Sequence, residues 1–235
     1  MLKAKLFLLH FAGGNRYSYQ FLAPLLADFD FIPLELPGRG RRAGEPLLRD
    51  FDLAANDLLE QVRSMLRTEA PFLIYGHSMG AVLGFRLAGV LEKAGYRPVC
   101  LIVSGNCGPG IDRDPPVHLL EEEEFIQELH RLGGMPAEVL ADADIMDFYL
   151  PILRADFEIA ERSNFGRPDV LNVPIHALMG MEEEQAAMIT NWSKFTRAAF
   201  SYLLLEGGHF FIHRHAKKIA EQIRATYDQH ISLQT

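Results

Sequence analysis

The chain has 235 residues, of which 49% are hydrophobic and 23% charged, a composition typical of one globular domain rather than of a disordered or fibrous protein. Its formal net charge of −8 argues against broad nucleic-acid binding, which usually needs a basic face. The two cysteines, Cys100 and Cys107, are too few for a disulfide framework or a zinc site. No apolar run approaches the roughly 18 residues that cross a membrane, and the N-terminal run is about one strand long. We therefore predict a cytoplasmic protein that binds neither metal nor membrane.

Apolar runs alternate with helical periodicity through the first part of the chain. Short apolar runs that end at Gly or Pro are typical of buried strands, whereas apolar residues spaced three and four apart are typical of helices. These patterns predict strands at residues 6–11, 29–36, 72–75 and 99–103, and helices at 53–66 and 79–93, with Asp52 as the N-cap of the first helix.

A helical insertion is predicted at about residues 107–168, where the strand pattern stops. Helices are expected there at residues 121–132 and 145–161. The alternation then resumes with a strand at 173–179, a helix at 185–199, a strand at 202–205 and a helix at 212–230. Alternating strands and helices predict a single α/β domain over residues 1–235, with a mostly parallel sheet covered by helices on both faces.

The segment Gly76-His77-Ser78-Met79-Gly80 matches the G-x-S-x-G pattern of a nucleophile elbow. The pattern alone also fits a plain glycine-rich turn, but a predicted strand precedes it and a predicted helix follows it. In that setting the serine lies on a tight turn, and the free N–H groups of the helix start face the reacting centre. Ser78 is therefore the predicted nucleophile, which identifies the fold as the α/β-hydrolase type.

A serine nucleophile needs a base, and in this fold the base comes late in the chain. His209 follows the last predicted strand and a Gly-Gly turn, so we predict it as the general base, the alternative being a loop or helix-capping histidine. His213 and His215 lie nearby, but without an H-E-x-x-H motif we expect them on a helix surface rather than at a metal. His77 is expected to pack beside the elbow.

Segments across nearly the whole chain carry a family resemblance: residues 10–14, 36–41 with 45–46, 76–81, 132–136, 150–157 and 207–211. They resemble the type II thioesterases of nonribosomal peptide and polyketide synthesis. The resemblance implies hydrolysis of acyl groups from the phosphopantetheine arm of acyl or peptidyl carrier proteins, without a cofactor, under a helical lid. It also implies that the backbone N–H groups of Ala12 and Met79 form the oxyanion hole.

The acid of the triad departs from that family's usual Gly-x-x-Asp. The matching stretch runs from Gly180 to Glu184 and places Glu183 at the acid position, with Glu182 and Glu184 as competitors. A glutamate can orient and charge-stabilise a histidine as an aspartate does. Residues 104–106 hold no carboxylate, and we rank Asp112 low because it lies in a Pro-rich loop.

Two questions stay open on the sequence alone. Met135, Met146, Phe148 and Phe157 fit either the lining of an acyl pocket or ordinary core packing. The function could also be that of another esterase or acyltransferase on this fold, or of a non-catalytic module that binds carrier proteins. We expect a monomer that acts on its partner in trans.

Overall fold

The computed structural model describes residues 3–66, 70–111, 115–163 and 170–231. Within these residues six parallel strands form one sheet in the order β2-β1-β3-β4-β5-β6. This confirms the predicted α/β fold. The strands are β1 Lys5–Leu9, β2 Asp30–Pro33, β3 Phe72–His77, β4 Leu101–Ser104, β5 Ile175–Gly180 and β6 Phe200–Leu205.

Helices cover both faces of the sheet, as the sequence predicts. In β1, Phe7 and Leu9 join the core under α1 and α2, whereas Leu6 and Leu8 join the core under α7. This alternation follows from the two-residue period of a strand. The helices are α1 Phe51–Met65, α2 Met79–Lys93, α3 Glu122–Leu132, α4 Ala137–Leu140, α5 Ala143–Glu161, α6 Phe211–Arg214 and α7 Ala216–Ile231.

Between β4 and β5 the chain leaves the sheet and forms α3, α4 and α5, which we call the lid helices. They enclose a small apolar core of their own, which includes Phe125, Leu129 and Met146. The short α4 lies in a stretch where the sequence predicted no separate helix. The predicted insertion bounds of 107 and 168 stay a prediction, and Asp112 and residues 164–168 lie outside the described residues.

The N-cap of α1 is Asp50, so the prediction of Asp52 is wrong. Asp50 accepts a hydrogen bond from the N–H of Leu53 at 2.8 Å. Asp52 lies inside the first turn and pairs with Arg86 at 2.9 Å. Phe51 is buried, and the helix begins there to include this side chain in its apolar face.

The predicted helix at 185–199 is instead a 3₁₀ segment, Ala186–Phe195, followed by β6. Its polar residues favour caps and turns over α-helix interiors. Two side chains also anchor it to the loop after β4: Trp192 donates to the carbonyl oxygen of Asn106 at 2.8 Å, and Asn191 donates to that of Cys107 at 2.9 Å. The last predicted helix is likewise divided, into α6 and α7, at His215.

Candidate active site

Ser78 lies on a sharp turn between β3 and α2, with φ 55° and ψ −117°. It is the one non-glycine residue with a positive φ in the described ranges. Such a conformation costs about 1–3 kcal/mol and persists only where neighbours enforce it. A Cβ on Gly76 would collide with the carbonyl of Gly80, and one on Gly80 with the carbonyl of Leu9. The two glycines of the motif therefore permit the close backbone contacts that hold the turn.

His209 and Glu183 form a hydrogen-bonded pair at the same edge of the sheet. Nδ1 of His209 lies 2.7 Å from Oε2 of Glu183, and each side chain is 12% exposed. The other carboxylate oxygen, Oε1, accepts the N–H of Gly180 at 3.0 Å. A carboxylate in this position fixes the orientation of the imidazole and leaves Nε2 free for proton transfer.

The register of β5 and β6 explains why these two residues meet. Both strands end at this edge, where Gly180 pairs with Leu205. The backbone continues the contact beyond the strands, because the N–H of Glu182 donates to the carbonyl of Gly207 at 3.1 Å. A Cβ on Gly180 would collide with the carbonyls of Gly207 and Gly208, so glycine is required for this approach. By contrast, Glu182 and Glu184 are exposed.

His77 packs beside the elbow, as predicted. It is fully buried, its ring centroid lies 4.9 Å from that of His209, and its Nδ1 lies 2.9 Å from Oγ of Ser104. Burial, followed by the charges of His209 and His213, holds the pKa of His77 well below its usual value. A histidine that stays neutral in this way packs against the site without adding a positive charge.

Ala12 lies in the turn that follows β1, and Met79 opens α2. Gly14 N–H donates to the carbonyl of Phe11 at 2.9 Å, which closes the turn around Ala12 and Gly13. Within the described ranges, neither the N–H of Ala12 nor that of Met79 makes a hydrogen bond. Two free donors beside a serine are what an oxyanion hole requires.

Two cavities meet at Ser78 and His209. The first, which we call the lid chamber, has a volume of about 400 Å³ and a mainly apolar wall. The second, which we call the polar chamber, has a volume of about 430 Å³ and runs along residues 105–111 to the loop of Glu182 and Glu184. A ligand with one apolar and one polar part can therefore place the junction between them at Ser78.

Comparisons with known proteins agree with this geometry. The thioesterase domain family matches residues 4–227. The chain belongs to the thioesterase family. This thioesterase is 32% identical over 226 residues to the gramicidin S biosynthesis protein GrsT of Aneurinibacillus migulanus, covering 93% of this chain and 87% of that protein.

Solved structures give the same family. The type II thioesterase BorB from the borrelidin biosynthetic cluster superposes with a TM-score of 0.84 at 34% identity, over 95% of this chain and 92% of that chain. The RedJ thioesterase of the prodiginine pathway of Streptomyces coelicolor superposes with a TM-score of 0.88 at 27% identity, over 95% and 85%. The present protein is therefore an enzyme that hydrolyses thioesters on an α/β-hydrolase fold.

The lid of the thioesterase divides the four candidate lining residues. Met135 and Phe157 line the lid chamber, together with Leu129, Val139 and Leu153. Met146 is buried in the lid core, and Phe148 is 61% exposed and does not line either chamber. The chamber wall thus uses residues from α3, α4 and α5.

A buried ion pair lies beside the site and was not predicted from the sequence. Asp156 of α5 is fully buried, and both of its oxygens pair with the guanidinium of Arg39, which is 4% exposed. Both residues lie in segments that carry the family resemblance, 36–41 and 150–157, and this is the sequence signal that points to them. Their separation in sequence concealed the contact.

The described ranges of the thioesterase contain neither a metal-binding cluster nor a membrane-spanning helix. No group of three or more His, Cys, Asp or Glu side chains is arranged there to hold a metal ion. No helix among them is both long enough and apolar enough to cross a membrane.

Proposed function

We propose that this thioesterase removes acyl groups from the phosphopantetheine arm of acyl or peptidyl carrier proteins, with Ser78 as nucleophile and His209 as general base. The observation that carries the proposal is the strained Ser78 turn, which shares both cavity walls with a histidine held by Glu183. Relatives from gramicidin S, borrelidin and prodiginine biosynthesis support the same substrate class.

In the proposed reaction, Oγ of Ser78 attacks the thioester carbonyl while Nε2 of His209 takes the serine proton. The N–H groups of Ala12 and Met79 stabilise the developing oxyanion. Glu183 stabilises the imidazolium through Nδ1. The C–S bond then breaks, and His209 returns its proton to the departing thiolate.

Water completes the cycle. It attacks the acyl-serine carbonyl while His209 takes a water proton, and His209 then protonates Ser78 as the free acid leaves. Glu183 stands where the family more often has an aspartate. Its longer side chain still reaches His209, and the Gly180 N–H holds the carboxylate in place by donating to Oε1. Proton transfers balance over the two half-reactions, so no cofactor is needed.

The two chambers suggest how the substrate divides. The apolar lid chamber suits the acyl group, whereas the polar chamber suits the amide-rich pantetheine arm, which needs hydrogen-bond partners along its length. Carrier proteins as partners in trans, a monomeric state and a cytoplasmic location stay predictions.

The test is release of free thiol from an acylated carrier protein by wild type, by Ser78→Ala and by Ser64→Ala. Ser64 is an exposed residue of α1, so its substitution is a matched control. We expect Ser78→Ala to lower kcat by a factor on the order of 10⁶ and the control to keep wild-type activity. Retained activity in Ser78→Ala would disprove the mechanism.

Two further measurements address the alternative functions. Covalent labelling by a fluorophosphonate, absent in Ser78→Ala, argues against a non-catalytic carrier-binding module. A higher kcat/KM with oxygen esters than with acyl-pantetheine thioesters would favour a general esterase instead.

A further inference from the structure

The carboxylate of Asp156 connects α5 to the turn after β1. Its Oδ2 accepts the N–H of Gly13 at 2.8 Å and also contacts Nη1 of Arg39. Its Oδ1 accepts Nη2 of Arg39 at 2.8 Å. Arg39 also donates to the carbonyls of Pro37 and Gly14. The carboxylate thus has one backbone partner, and that partner lies next to Ala12.

The Gly13 hydrogen bond bears on the orientation of a peptide group. Residues 11–14 form a β-turn closed by the Phe11 carbonyl, with Gly13 at φ +75°, as in a type II turn. Type I and type II turns differ by a flip of the central peptide, here Ala12–Gly13. Glycine adopts either sign of φ, so the turn sequence alone does not select one form. The carboxylate of Asp156 accepts the Gly13 N–H in the form present here, and so anchors the turn one residue after Ala12, whose own N–H belongs to the preceding Phe11–Ala12 peptide.

The same face of α5 also presses on this turn. Leu153 lies one helical turn before Asp156, and a Cβ on Gly13 would lie 2.5 Å from its Cδ2. Leu153 and Ala12 both line the lid chamber with Ser78. One face of α5 therefore restrains this turn in two ways, by the contact of Leu153 and by the hydrogen bond to Asp156. The turn carries a proposed oxyanion donor, the Ala12 N–H.

Stability alone is a poor explanation for such a buried pair. The desolvation cost of two charges often cancels their attraction, and well-packed apolar replacements are frequently neutral or stabilising. A geometric role is the more economical one, because the carboxylate supplies an acceptor at one defined point.

We propose that Asp156, held in place by Arg39, is a positioning residue: by binding the Gly13 N–H it anchors the turn one residue after Ala12 and so limits movement of the Phe11–Ala12 peptide, whose N–H is the proposed oxyanion donor. This inference rests on the proposed role of the Ala12 N–H. If Asp156 has this role, the packing of α5 against the turn after β1 affects the chemical step as well as substrate binding.

The decisive experiment compares two double variants, of which one keeps a hydrogen-bond acceptor at position 156 and the other does not. Arg39→Met/Asp156→Leu removes the charges and the acceptor, whereas Arg39→Met/Asp156→Asn removes the charges and keeps a carbonyl oxygen. We expect the leucine variant to lose about 10²–10³ in kcat with KM little changed, as for loss of an oxyanion donor. The kcat of the asparagine variant should be at least about tenfold higher than that of the leucine variant.

A second ion pair of the same helix supplies the control. Glu158 of α5 pairs with Arg49 on the body at 3.2 Å, and neither residue lines a chamber. Arg49→Met/Glu158→Leu removes a lid-to-body pair without touching the turn, so kcat should stay at the wild-type value. An equal loss of kcat in this control would assign the effect to lid attachment and overturn the proposal.

Binding of an alkylboronic acid, which forms a tetrahedral adduct on a catalytic serine, supplies a readout that fold stability does not move. Its Kd should rise in the leucine variant by the same factor as kcat falls, and thermal midpoints identify any variant that fails to fold. If the leucine variant does not fold, a loss above about 10² in kcat for the asparagine variant overturns the proposal.

The two proposals fail separately. Activity retained in Ser78→Ala removes the proposed mechanism. An inactive Ser78→Ala together with equal kcat values in the leucine and asparagine variants removes only the positioning role.

Discussion

The loops at the carboxyl edge of the sheet and the lid helices meet at the same cavity, but they are held in different ways. Main-chain hydrogen bonds fix the edge loops: Ser78 N–H donates to the Ser104 carbonyl at 2.8 Å, and Met181 N–H to that of Leu205 at 2.7 Å. The lid chamber depends instead on side-chain packing from α3, α4 and α5. The proposed chemistry therefore lies in the region held by main-chain hydrogen bonds, and the proposed acyl pocket in the region held by side-chain packing. Asp156 is a lid residue whose hydrogen bond to the Gly13 N–H crosses this division.

The largest expected effect within the edge loops comes from Glu183→Gln. A glutamine beside Nδ1 favours the wrong imidazole tautomer, so kcat should fall by about 10³–10⁴. Thiol release from acyl-pantetheine measures it. Glu182→Gln and Glu184→Gln are the controls for the acid role: both side chains line the polar chamber, so KM can change, but kcat should stay unchanged because Glu183 is the carboxylate that pairs with His209 Nδ1. A larger loss in either control would transfer the acid role to that residue.

The sheet itself can be destabilised by pH at a point outside both chambers. Burial lowers the pKa of His176 in β5 from 6.5 to about 4. The unfolded chain therefore binds more protons than the folded one between these values, so this contribution is present above pH 6.5 and is lost as pH falls towards 4.

His176→Gln should remove this dependence. The wild type should lose about 2 kcal/mol of unfolding free energy from this group between pH 7 and pH 5, and the variant should not. Urea unfolding at the two pH values measures it. Because His176 lines neither chamber, kcat at pH 7 should be unaffected. An equally steep fall in the variant would assign the pH dependence to other groups.

The smallest expected effect lies in the lid and tests its adaptability. Val139 of α4 lines the lid chamber, so Val139→Trp should narrow it and lower kcat/KM for long acyl chains about tenfold relative to short ones. Leu119→Trp adds the same side chain at a position that is 65% exposed and outside both chambers. A series of acyl-pantetheines measures the ratio. An unchanged ratio in Val139→Trp would place the acyl group elsewhere.

The same division decides what the sequence could predict. The elbow is a local pattern of a strand, a turn and a helix, so the sequence predicts residues 72–93 closely. The segment 186–195 was not, because tertiary hydrogen bonds of Trp192 and Asn191 override its helical periodicity. The Arg39–Asp156 contact was also missed, since its partners lie 117 positions apart and their meeting depends on how α5 seats on the body.

The hydrogen bond from Gly13 to Asp156 spans 143 positions of the chain. At a synthesis rate of roughly 5–20 residues per second, Gly13 is added to the chain about 7–29 s before its acceptor Asp156. During that interval the turn has its glycine freedom and no carboxylate to orient it. On the proposed positioning role, a nascent chain that already contains Ser78 still lacks the contact that aligns the proposed oxyanion hole, and it gains that contact only after residue 156 has been added.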